Sequence, residues 1–225
     1  MFRDTITHWL SNASGENKIE VIVSVDDNDP QLENYKREID FLPHGILLLI
    51  NRNRSCIDAV NIGAKASTGD LLIVVSDDFR CPKDWDKTLV DRTKGKEFFV
   101  VKTDDGTQGW IITLPIMDRA FYKRFGYIYP PAYKHMFCDT EMTAVGDMLD
   151  CTINMKDVLF EHVHYTTGKT QRDAINVRND STWNQGQDMY IRRYKNNFFL
   201  NPSEIKGRIK DEEHVKWLNK RMNRG

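Results

Sequence analysis

Val60–Phe79 reads VNIGAKASTGDLLIVVSDDF. Its first residues continue a helical pattern that begins at Ser55 and runs to Ala66, where Ser67-Thr68-Gly69 closes it. Asp70–Val75 is then a short apolar run rich in β-branched residues. It is too short for a helix and is read as a buried strand. The strand runs directly into Ser76-Asp77-Asp78. A helix, a tight turn and a strand that delivers carboxylates at its carboxyl end form part of an α/β layer, in which ligands bind at that end of the sheet.

The same grammar extends in both directions. Upstream, Ile19–Pro30 reads IEVIVSVDDNDP, a strand over Ile19–Val25 that stops at the cluster Asp26-Asp27-Asn28-Asp29. Leu32–Ile39 has helical spacing, and Ile46–Ile50 is a near-continuous apolar run of the kind found in buried parallel strands. Met1–Ser11 places Ile6, Trp9 and Leu10 on one helical face. Downstream, Pro82–Asp91 is helical. Strands are expected at Phe98–Lys102, Trp110–Leu114, Thr152–Met155 and Val158–Val163, with helices at Met117–Phe125 and Thr140–Leu149. Tyr127–Phe137 (YIYPPAYKHMF) has adjacent prolines and is read as an ordered aromatic loop. From Thr182 onward the chain is largely helical and basic.

The 225 residues suit one α/β domain with an extension, and 40% hydrophobic content is enough for a real core. The formal net charge of −1 hides an asymmetry, because Lys169–Gly225 holds 13 basic against 7 acidic residues. A basic tail either presents a solvated helical face or meets an anionic partner. Cys56, Cys81, Cys138 and Cys151 show no CxxC spacing, which argues against a structural zinc site or disulfide framework and fits a reducing cytoplasm. No apolar run is long enough to cross a bilayer, and Met1 does not open a signal-peptide pattern.

Three groups of residues carry possible chemistry. The acidic clusters at Asp26-Asp27 and Asp77-Asp78 provide turns and caps, or oxygen ligands for Mg²⁺ or Mn²⁺. Glu161-His162-Val163-His164 ends a strand, so alternation puts both histidines on one face, where they are structural or supply a metal ligand. Phe137-Cys138-Asp139-Thr140-Glu141 precedes a helix and contains either an N-cap or a general base.

The order of these pieces resembles the family-2 glycosyltransferases with the GT-A fold. The resemblance rests on IEVIVSVDDNDP, on VNIGAKASTGDLLIVVSDDF and on the following PKDWDKTL (Pro82–Leu89). It implies a Rossmann-like, mostly parallel sheet with flanking helices and a helical C-terminal extension. The implied division is a domain over 1–168, with a nucleotide-sugar half (1–92) and an acceptor half (93–168), followed by an extension over 169–225. It implies transfer of a sugar, with inversion, from a nucleotide sugar (a UDP-sugar first) to an acceptor hydroxyl, with Mn²⁺ or Mg²⁺ as cofactor. By resemblance Asp27, or its neighbour Asp26, would bind the base, and Arg54 and Asn61 would approach the base and phosphates. Asp77 would meet the ribose or a metal-bound water, Asp78 would hold the metal and His164 would add a further ligand. Asp139 would be the catalytic base, with Glu141 as the alternative. Trp110 is expected on the nucleotide-sugar side, and Tyr133 and His135 on the acceptor side.

The sequence departs from that family at two points. Where the family usually has Ala-Arg-Asn, this chain has Ala59-Val60-Asn61. The strand that normally precedes the helix at Met1–Ser11 is also missing. Upstream residues supply it, another segment takes its place, or donor binding is impaired. A non-catalytic relative used for nucleotide or partner binding is the alternative function. A nucleotidyltransferase ranks last, because no Gly-rich loop follows a first strand. The acceptor is expected to be a surface glycan or lipid-linked precursor. A hydroxymethylated base in viral DNA is the other candidate, with Arg172, Arg178, Arg192, Arg193 and Lys195 tracking phosphates in a virus-encoded enzyme of the host cytoplasm.

Overall fold

The computed structural model describes residues 2–42 and 45–222; Met1 of the expected first helix and 223–225 of the expected extension lie outside them. In chain order the elements are α1 (Phe2–Ser11), β1 (Val21–Asp26), α2 (Leu32–Ile39), β2 (Ile46–Asn51), α3 (Cys56–Ala66), β3 (Leu71–Ile73), β4 (Phe79–Arg80) and α4 (Trp85–Thr93). They continue with β5 (Val100–Asp104), β6 (Ile116–Asp118), α5 (Arg119–Phe125), α6 (Cys138–Met148), β7 (Thr152–Leu159), β8 (Glu161–His162), α7 (Ala174–Asp180), α8 (Trp183–Tyr194) and α9 (Glu212–Met222).

The central sheet has the order β3-β6-β5-β7. Its strands alternate between two cores, as a two-residue period requires. Val100 and Met117 face a cluster with Ile57, Leu72, Phe137 and Tyr190, whereas Val101 and Ile116 face one with Trp9, Phe79, Trp85 and Phe160. The second cluster anchors α1. The Trp9 ring stacks on Phe160, and its indole N–H donates to the Phe79 carbonyl at 3.2 Å. Phe160 is fully buried, a contribution of about 2 kcal/mol. The first cluster runs on to Tyr190, Phe198, Leu200, Ile209 and Leu218, so the C-terminal helices share a core with the sheet.

The α/β architecture of the GT-A fold is present, with mixed strand sense. The two longest ladders, β1–β2 and β5–β7, are parallel, and β3–β6, β5–β6 and β4–β8 are short antiparallel ones. The pair β1–β2 forms its own sheet and is not bonded to β3. The two sheets nevertheless lie on common supports. Gly63 of α3 faces Ile22 and Ser24 of β1, while Ile57 and Ala64 of the same helix pack with Leu72 of β3. Just before the strands, the Glu20 carboxylate accepts from the Thr68 amide at 2.8 Å and its hydroxyl at 3.1 Å. Among the described residues no strand is bonded to both β1 and β3.

Two local expectations are corrected. Ile46–Asn51 is a strand but not a buried one, since Leu47 and Ile50 are 43% and 42% exposed; β2 is the outer strand of a detached pair. Trp110–Leu114 is not a strand among the described residues. Ile111, Ile112 and Leu114 are buried in a coil, because Asp105 accepts hydrogen bonds from the Thr107 and Gln108 amides and the Thr113 hydroxyl and curls the chain. The strand lies further on at Ile116–Asp118, and the Asp118 carboxylate then caps α5 by accepting from the Phe121 amide.

Candidate active site

β1 and β3 point their carboxyl ends at Asp26-Asp27 and Ser76-Asp77-Asp78. Asp26 accepts a 2.7 Å hydrogen bond from the Asn53 side chain, which also reaches the Val25 carbonyl. Asp77 is held above the usual carboxylate range by burial and by the adjacent Asp78 charge. Burial opposes ionisation of Asp78 too, but hydrogen bonds from His162 and Ser76 outweigh it and hold that carboxyl below the usual range.

The antiparallel pairing of β4 with β8 makes this arrangement. Phe79 lies opposite His162, and the Val163 amide donates to the Asp78 carbonyl at 2.7 Å. His162 Nε2 then sits 3.0 Å from Asp78 Oδ2, and its ring stacks on Phe79. His164 is the next histidine out, its ring 4.7 Å from that of His162. Its Nδ1 accepts from the Thr166 amide, and burial followed by the His162 charge lowers its pKa. The structure thus sets His162, rather than His164, directly against Asp78.

These side chains offer carboxylate oxygen, which suits Mn²⁺ or Mg²⁺, and imidazole nitrogen, which suits a transition ion rather than Mg²⁺. No group of three His, Cys, Asp or Glu side chains among the described residues forms a metal cage. An ion there would be held by Asp78, with His162 beside it, and would need substrate phosphate and water to complete its shell.

A second acidic centre lies at the start of α6. Asp139 is half-buried; its carboxylate accepts from the Thr140 amide at 2.7 Å, and burial raises its pKa. Asp105 charge acts on both Asp139 and His164, so the two centres share an electrostatic neighbour.

The other residues named from the sequence divide sharply. Glu141 is 1% exposed, its two oxygens bound by the Arg193 guanidinium at 2.7 Å each and by the Tyr133 hydroxyl at 2.6 Å. It faces the core, with no oxygen left for an acceptor, and Tyr133 is buried with it. His135 Nδ1 lies 2.9 Å from the Cys56 thiol. Asn61 is occupied by the aromatic loop, donating to the Tyr129 carbonyl and accepting from the Ile128 and Tyr129 amides. Arg54 forms an exposed pair with Asp58 at 2.7 Å. Trp110 packs edge-on against His214 of α9. Asp27 carries no assigned contact beyond its amide, which donates to the Asn51 carbonyl.

Sequence reasoning missed three partners: Asn53 on Asp26, Arg193 on Glu141, and Asp105, whose charge acts on Asp139 and His164. The Asp104-Asp105-Gly106 turn was a legible signal for the last; the other two depend on tertiary contacts.

The family model for Glycosyl transferase family 2 matches residues 1–146. The chain belongs to this family. Family 2 membership assigns it to glycosyl transfer. Among solved structures, the chain is similar to the mannosyltransferase PcManGT from Pyrobaculum calidifontis in complex with GDP-Man and Mn²⁺. The TM-score is 0.54 at 12% identity, over 98% of this chain and 75% of that one, a likeness of fold. No curated protein matches the chain. No helix among the described residues is long and apolar enough to cross a membrane.

Proposed function

We propose that this family-2 protein transfers a sugar with inversion from a nucleotide sugar to an acceptor hydroxyl. Asp139 is the general base and the Asp77–Asp78 edge is the diphosphate side. The observation that carries this reading is the opposite tuning of two carboxylates. Asp78 is held ionised by His162 and Ser76, whereas burial raises Asp139. Divergent environments of this kind separate an electrostatic role from a proton-transfer role. A divalent ion bound at Asp78 would neutralise charge on the departing diphosphate. Asp139 takes the acceptor proton as the hydroxyl oxygen attacks the anomeric carbon and the bond to the nucleoside diphosphate breaks. In this reading Asp26 or Asp27 binds the base, and His135 belongs to the acceptor side.

The donor is the finer question. A UDP-sugar is the family-based expectation, and the fold neighbour's GDP-Man complex makes GDP-mannose the second donor to test. For the acceptor, a glycan or lipid-linked hydroxyl is favoured over DNA. Two arginines of the supposed phosphate track are already paired, Arg193 with Glu141 and Arg172 with Asp180 at 2.6 Å. Retention on DNA that falls steeply with salt would reverse that preference.

The test is the pH profile of donor turnover for the native protein and Asp139→Asn. A base with a raised pKa is protonated and idle at low pH. Turnover should therefore rise with pH through a limb above the ordinary carboxylate range, and Asp139→Asn should lose about 10²-fold or more. Full activity in that variant would remove Asp139 from the mechanism. The gap between β1 and β3 favours a second reading, a non-catalytic nucleotide-binding member. It predicts donor binding without turnover.

A further inference from the structure

The C-terminal helices lie beyond the family match, yet they make three separate attachments to the turn that carries Asp139. The first is ionic. Arg193 of α8 forks both oxygens of Glu141, two residues after Asp139, and Tyr133 closes the group with its hydroxyl. Glu141 is 1% exposed, and the Arg193 side chain keeps only 13% of its surface. The second is steric. Gly186 of α8 sits so close to Met136 that a Cβ there would clash with the Met136 carbonyl oxygen. The third is aromatic. Phe137, which enters α6 with a φ of 74°, is packed against Trp183 and Tyr190 of α8 and stacked on Trp217 of α9.

Phe137 takes a left-handed conformation that a bulky residue adopts only when its surroundings enforce it. The first turn of α6 has no side-chain N-cap to fix its start. Its geometry is instead set from outside, by α8 and α9. A bidentate guanidinium–carboxylate pair fixes direction as well as distance, and this one is shielded from water.

We propose that Arg193 is a positioning residue for the transfer reaction. Through Glu141 it orients the first turn of α6 and so aims the Asp139 carboxylate at the acceptor hydroxyl. The C-terminal helices are then part of the catalytic apparatus rather than an appendage. This inference rests on the reading of Asp139 as the base.

The experiment compares Arg193→Met, Arg193→Lys and Asp139→Asn by hydrolysis of GDP-mannose and UDP-glucose with Mn²⁺, reading release of nucleoside diphosphate. Donor affinity is measured on the same samples by calorimetry, and folding by the thermal midpoint. A positioning role predicts that Arg193→Lys, which keeps the charge but loses the fork, folds and binds donor within about twofold of native, with kcat lowered about tenfold or more. Arg193→Met should fall further, so that Lys is a partial rescue. Hydrogen exchange should show faster amide exchange confined to 137–143. Native kcat in folded Arg193→Lys, beside an inactive Asp139→Asn, would overturn the positioning role alone. Native kcat in Asp139→Asn would overturn the base assignment beneath it.

Discussion

Acid should weaken this fold through His214, and the size of the effect follows from its surroundings. The ring is 1% exposed, wedged between Tyr190, Trp110 and Trp217. Its Nε2 lies 2.7 Å from the Tyr190 hydroxyl, and its Nδ1 is buried without a partner. A second proton would therefore place a charge in a buried pocket that offers Nδ1 no acceptor. Burial, with a smaller push from Lys102 and opposed by Asp211, lowers its pKa to about 4 from 6.5. For a base with a depressed folded-state pKa, the unfolded chain takes up the proton first as pH falls. Stability is full above the unfolded value and is lost progressively between about 6.5 and 4. The loss reaches about 2 kcal/mol by pH 5 and about 3 kcal/mol at the lower end. The assay is denaturant unfolding at pH 7.5, 6 and 5, for the native protein and His214→Gln. The variant is less stable at pH 7.5, but the gap should narrow by about 2 kcal/mol at pH 5, because Gln does not titrate. An unchanged gap across that range would refute the reasoning. His135 and His164 are also lowered and steepen both curves alike, which is why the difference is the quantity to read.

Two further outcomes follow from packing. Gly186→Ala must push α8 off the Met136 carbonyl, at a cost of about 1–3 kcal/mol, and should lower turnover through the Asp139 turn; an unaltered denaturation midpoint would show that the contact yields freely. Asn61→Ala removes three hydrogen bonds that hold the aromatic loop to α3, a loss of about 2–3 kcal/mol with donor affinity little changed; a large loss of donor affinity at full stability would instead return Asn61 to the nucleotide site.

The fold was legible where one short stretch carried several signals at once. Val60–Phe79 contains a helix, its closing turn, a β-branched strand and the acidic end, and all of these stand in the structure with β3 trimmed to Leu71–Ile73. Legibility failed where burial and strand pairing part company. Ile111, Ile112 and Leu114 are as buried as strand residues, but the hydrogen bonds to Asp105 fold them into a turn, and hydrophobicity alone does not reveal that. Ile46–Ile50 misled in the other direction, since its apolar run sits on a detached pair of strands.

The site was readable by residue type and unreadable by partner. Asp78 and Asp139 stood out because carboxylates at strand and helix ends do no work in a core. Glu141 looked equivalent to Asp139 in sequence, and only the arrival of Arg193 from 52 residues downstream separates them. The choice between His162 and His164 likewise depends on the register of β4 against β8. A basic tail suggested an anionic partner, yet Arg193, the most buried arginine among its described residues, serves Glu141.

The central claim, a donor site at the carboxyl ends of β1 and β3, is tested most directly by thermal unfolding with UDP- and GDP-sugars. Each is added with Mn²⁺ and with chelator, for the native protein and Asp78→Ala. A ligand that binds only the folded state stabilises it by about 2.7 kcal/mol at a hundredfold excess over its Kd. A raised midpoint is expected with at least one nucleotide sugar, lost on chelation and lost in Asp78→Ala. A shift that survives both would place the donor elsewhere, and no shift with any donor would contradict the claim.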